Sequence, residues 1–91
     1  MELTRFRVPP DRADDLLAAR AGMIADFQAD RAGFLGAKLV RVAPDEWLDI
    51  VEWRSSADFA RSRAKGANLP GIRAFFDLID EVVSAEEGAT G

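Results

Sequence analysis

The order of segments in this chain predicts an α+β fold. It reads strand, helix, strand, strand, helix, strand, the βαββαβ order of a ferredoxin-like domain. Three observations support that order. Leu3 to Val8 alternates with a period of two. Leu16, Leu17, Ile24 and Phe27, with Ala13 and Met23, form an apolar stripe at helical spacing. Two apolar runs flank the turn Ala43-Pro44-Asp45-Glu46, as in a hairpin. Because both crossovers are helical, both helices should cover one face of an antiparallel sheet.

The elements follow in turn. In the first strand Thr4, Phe6 and Val8 share one face, and Leu3, Arg5 and Arg7 the other. Pro9-Pro10 ends it, since proline cannot donate to a ladder. Asp11 is a good N-cap for a helix over residues 11–30, with Asp14 and Asp15 near the positive end of its dipole. Ala32-Gly33-Phe34-Leu35-Gly36 breaks the helical period, and strands over 35–42 and 46–54 follow. Ser55 or Ser56 caps a second helix over 56–66, stopped by Gly66-Ala67-Asn68. Pro70 opens a further helical turn, Gly71 to Leu78, carrying Ile72, Phe75 and Phe76. Glu81 to Glu86 reads as the fourth strand. The domain is placed at 1–87, with a flexible C-terminal tail at 88–91.

Composition bounds the function. The chain has 91 residues, 48% of them hydrophobic, and a net charge of −4. A domain of this size buries roughly 60–65% of its unfolded surface, so a second copy would help it. The acidic balance offers no basic field for nucleic acid or an anionic membrane. No run of about 18 apolar residues is present to span a bilayer. The N-terminal residues lack a signal-peptide pattern, so cytoplasmic residence is expected. Cys, His and Tyr are all absent, which excludes thiol nucleophiles, Cys/His zinc sites and Ser-His pairs. No metal or other cofactor is expected. Proton chemistry must then use Asp, Glu, Lys or water.

The stretch Asp45 to Phe59 holds the candidate site. By parity Trp47, Asp49, Val51 and Trp53 share a strand face. Trp53 could stack a flat aromatic ligand and offer one N–H, or be plain core. Trp47, beside a turn, suggests partial exposure or a dimer contact as well as ligand binding. A buried, unpartnered Asp49 would have a raised pKa and could act as a general base. Paired with Arg5, Arg7 or Arg41 it would be structural. Arg20 could anchor an anionic substrate group, or reach water from the edge of the stripe. Asn68 could donate to a ligand or serve its turn. Phe59, Phe75 and Phe76 are interior residues and candidates for a pocket wall. The sheet face away from the helices is bare, and a second copy of the chain is its simplest cover.

Phe6-Arg7-Val8-Pro9-Pro10, Gly33-Phe34-Leu35-Gly36 and Trp53-Arg54-Ser55-Ser56-Ala57-Asp58-Phe59 are similar to segments of the antibiotic biosynthesis monooxygenase (ABM) superfamily. The resemblance implies a dimeric α/β barrel with a pocket between sheet and helices. In the quinone-forming oxygenases of that superfamily a Trp at this strand end lines the pocket with Asn, Tyr, His and Arg. Trp53 matches. Asp49 stands where Asn is expected and Phe59 where Tyr is expected, and no His is available. The haem-degrading branch, which needs a His ligand, is disfavoured. The resemblance thus implies a cofactor-free monooxygenase of a planar aromatic or polyketide-like substrate, with Asp49 and Trp53 catalytic. The alternatives are a non-catalytic ligand-binding or interaction module, and an isomerase or lyase using one carboxylate.

Overall fold

The chain begins in the interior of its sheet. A computed structural model of the protein describes residues 1–89. Strand β1 (Glu2–Arg7) leads through a 3-10 turn at Pro10–Arg12 into helix α1 (Ala13–Asp30). Strands β2 (Phe34–Ala43) and β3 (Glu46–Trp53) form the expected hairpin. Helices α2 (Ser56–Lys65) and α3 (Pro70–Phe76) then lead to β4 (Glu81–Glu87). The sheet order is β2-β3-β1-β4, with every neighbouring pair antiparallel. This is the predicted ferredoxin-like arrangement. No described helix is long and apolar enough to cross a membrane.

Asp11 does not cap α1; it lies inside the 3-10 turn, and no side chain caps the first residue, Ala13. The two prolines account for this. Pro9 and Pro10 have fixed φ and no N–H, so the chain tightens at once and Arg12 N donates to Pro9 O at 2.9 Å. At the second helix Ser55, rather than Ser56, is the cap: its Oγ accepts from Asp58 N at 3.1 Å.

The core lies between the helices and one sheet face. Phe6, Val8, Leu16, Met23, Val51, Ile72 and Phe75 are essentially inaccessible. Helices α1 and α3 cross closely at Gly22 and Gly71; a Cβ on Gly71 would come within 2.5 Å of Gly22 O. Asp26 of α1 also accepts from the backbone N–H groups of Gly71 (2.7 Å) and Ile72 (3.3 Å), satisfying orphan donors at the start of α3. The corner entering α2 is fixed from below. Gly33 has φ 82° and lies directly over the Asp58 carboxylate, with Arg54 N donating to Gly33 O at 2.8 Å.

Among the described residues the opposite sheet face carries no helix. By register Leu3, Val40, Leu48 and Ile50 meet there, beside Arg5 and Lys38. At the chain ends the Met1 ammonium donates to Gly88 O at 2.6 Å and Gly88 N donates to Met1 O at 2.8 Å. Of the tail expected at 88–91, Gly88 is bonded to Met1, next to β1, and residues 90–91 lie outside the described residues.

Candidate active site

A cavity opens where α3 runs out. Seven residues of helix reach only Phe76, leaving β4 without a helical cover, and Val82 on the cavity side is 55% exposed. The space between has a volume of about 430 Å³. Met23 and Phe27 of α1 and Phe75 and Phe76 of α3 form its apolar walls. Its floor is the sheet: Glu2, Thr4 and Phe6 from β1, Asp49 and Val51 from β3. Asp80 and Glu81 stand at the mouth with Val82. Among the described residues no group of three or more His, Cys, Asp or Glu side chains is placed to hold a metal ion.

Asp49 reaches the cavity, but its partner is Arg20. The guanidinium grips both carboxylate oxygens, each at 2.7 Å, with the two side chains only 12% and 9% exposed. The arginines expected to pair with Asp49 are engaged elsewhere. Arg5 and Arg7 point to the opposite sheet face, as their parity requires, and bond Glu46 at 2.9 and 3.4 Å. Arg41 stacks over Trp47 and donates to Pro44 O. Arg20 is likewise neither a free anion anchor nor a side chain reaching water. It lies 5.2 Å over the ring of Phe75, behind the cavity wall.

Trp53 does not line the cavity. It packs among Phe27, Phe34 and Phe59, stacking on Phe59 at 6.2 Å and 11°. Its influence on the cavity runs through its N–H, which donates to Glu2 Oε1 at 3.1 Å. Trp47, expected to be partly exposed, is buried: it sits opposite Phe6 in register with Arg41 above it, and its Nε1 has no hydrogen-bond partner among the described residues. Asn68 faces away from the cavity. It binds Arg31 (2.7 Å) and Asp30 (3.2 Å) in a polar knot that ties the end of α1 to the loop before α3. Of the site residues expected from sequence, Asp49, Phe75 and Phe76 meet at the main cavity, while Phe59 borders two smaller ones.

Glu2 is a cavity residue outside the stretch Asp45 to Phe59. Its carboxylate lies where the 430 Å³ cavity meets two smaller ones of about 100 and 140 Å³. Burial pushes it above the ordinary glutamate range; the Trp53 N–H opposes that, the negative charge of Asp49 adds to it, and Arg63 and Arg20 oppose it. A signal was available in the sequence. Extending the alternation of Phe6 and Thr4 by one step places Glu2 on the same face.

A family model for the antibiotic biosynthesis monooxygenases matches residues 1–69. The chain belongs to that family. Solved structures of family members agree in fold. One from Bordetella bronchiseptica superposes with a TM-score of 0.77 at 22% identity, covering 98% of this chain and 95% of that one. A structure from Caulobacter crescentus gives 0.70 at 12% identity, covering 98% and 88%. A variant of SnoaB, a cofactor-independent oxygenase from Streptomyces nogalater, gives 0.65 at 25% identity, covering 96% and 85%. No curated protein matches the sequence significantly.

Proposed function

We propose that this protein is a cofactor-independent monooxygenase of a planar, electron-rich aromatic substrate, working as a homodimer. The observation that carries the reading is the cavity itself: about 430 Å³, walled by Phe27, Phe75, Phe76 and Met23, with two carboxylates on its floor. That volume suits a fused aromatic ring system, and apolar walls with a few polar groups are the usual make-up of a ligand site. The likeness to SnoaB, itself a cofactor-independent oxygenase, supports the reaction class.

The chemistry needs no outside reductant. An anthrone-type methylene loses a proton, and its electron pair stays on carbon. The carbanion passes one electron to dioxygen, and the resulting radical and superoxide combine into a peroxide. Loss of water then leaves a carbonyl, so one oxygen atom enters the product and the other leaves as water. Held against Phe75 and Phe76, the ring would be shielded from solvent. Asp49, fixed from behind by Arg20, would present a polar edge to the ring's substituents. The uncovered sheet face with Leu3, Val40, Leu48 and Ile50 supports pairing with a second copy.

Anthrones and polyhydroxylated phenols serve as probes, with binding followed by tryptophan fluorescence and turnover by oxygen uptake. Saturable binding with uptake is expected, together with loss of uptake in Asp49→Asn and Trp53→Ala. Binding without uptake across the panel would instead identify a ligand carrier. Uptake unchanged in both variants would remove the site from the reaction.

A further inference from the structure

We infer that Glu2 is the group that takes the proton from the substrate, and that Trp53 positions it. This rests on the oxygenase reading of the cavity. Two carboxylates share the floor, and their hydrogen bonding separates them. Both oxygens of Asp49 are taken by the Arg20 guanidinium at 2.7 Å. Glu2 has one oxygen, Oε1, bound by Trp53 Nε1, and its Oε2 has no hydrogen-bond donor among the described residues. A base needs an oxygen left free for the substrate proton, and Glu2, in the cavity lining, retains one.

Its place in the fold suits the role. Glu2 opens β1, and that strand end is anchored by the reciprocal backbone pairing of Met1 with Gly88. The carboxylate is half-buried and accepts from an indole packed among three phenylalanines. The other carboxylates at the cavity, Asp80 and Glu81, are exposed at the mouth, and Glu81 bonds Arg7. The charged groups around Glu2 are Asp49 from β3, Arg20 from α1, Arg31 just after α1, Arg63 from α2 and, on β4, Glu86 and Glu87. Burial and Asp49 raise its proton affinity, moving it towards the range useful to a base near neutral pH. In the step assigned to it, the substrate C–H bond breaks and the electron pair is left on carbon, delocalised into the ring carbonyl. The proton bonds to Oε2 and later passes to the outer peroxide oxygen. The second methylene C–H then gives up its proton as the O–O bond breaks, so that oxygen leaves as water and the carbon becomes a carbonyl.

The test separates proton removal from oxygenation. Under anaerobic conditions in D₂O, wild-type protein should catalyse deuterium exchange into the methylene of anthrone, read by mass spectrometry. Glu2→Gln keeps an acceptor for the Trp53 N–H, so binding of anthrone should persist while exchange falls by about 100-fold or more, the usual share of a general base. Trp53→Phe removes a donor that favours the charged form, so the acid limb of its exchange profile should move to higher pH. Exchange at the wild-type rate in Glu2→Gln, or no exchange by the wild type, would overturn the assignment. So would an acid limb unmoved in Trp53→Phe, the decisive arm should Glu2→Gln fail to fold. Oxygen uptake in air is read separately. Glu2-dependent exchange without uptake would keep the base and remove the oxygenase reading; uptake without exchange would do the reverse.

Discussion

At the scale of single residues, the Arg20–Asp49 pair shows how burial changes what a charge is worth. Both groups are nearly closed off from water, so neither tolerates losing the other. Asp49→Ala should cost about 3–5 kcal/mol in urea unfolding, because a buried guanidinium is left uncompensated. Replacing both together, Arg20→Met with Asp49→Leu, should recover most of that loss. A second residue-scale effect has the sign of an acid limb. Asp58 is held below the usual aspartate range by Arg61, against the cost of its burial, with Ser55 and Arg54 adding to the effect. Its unfolded form takes up a proton at higher pH than its folded form. The stability it contributes is therefore present above the ordinary aspartate value and is lost as pH falls through its own lowered value. Glu2 has the opposite sign: its contribution is present at low pH and is lost as pH rises through its raised value. Thermal melts from pH 7 down to 2 should accordingly show a flatter acid decline for Asp58→Asn than for wild type. Parity made the shared face of Asp49 and Trp53 legible in the sequence. The partner of Asp49 was not, because it lies 29 positions away on a helix whose rotation against the sheet only packing decides.

At the scale of elements, the small residues decide how closely parts approach. The Gly22–Gly71 crossing brings α1 and α3 into backbone contact and lets Asp26 reach the first N–H groups of α3. Gly71→Ala should force the helices apart and cost about 1–3 kcal/mol, as overpacking does. Gly36→Ala, where a Cβ meets nothing within 4 Å, should stay within about 0.5 kcal/mol in the same urea titration. The position and type of each strand and helix were readable from periodicity and from Ser55, Pro70 and the Pro44 turn. The start of α1 was not, because Asp11 has the chemistry of a cap but follows two prolines that tighten the chain first.

At the scale of the whole molecule, the two sheet faces have different fates. One packs on helices and holds the cavity; the other presents Leu3, Val40, Leu48 and Ile50 beside charged neighbours. A homodimer through that face should appear in sedimentation equilibrium. Leu48→Lys, placing a charge at its centre, should shift the protein to monomer while leaving its far-UV spectrum intact. Element order made the topology legible. The cavity was not, since it arises from a seven-residue helix ending short of a strand with which it shares no sequence signal. The proposed oxygenation draws its electrons from the substrate alone. Incubating chelator-treated protein with an anthrone under ¹⁸O₂ tests it. One labelled oxygen in the quinone product and the second in water, with turnover suppressed in Glu2→Gln, is the predicted result. A bound but unchanged anthrone, or a product without label, would contradict it.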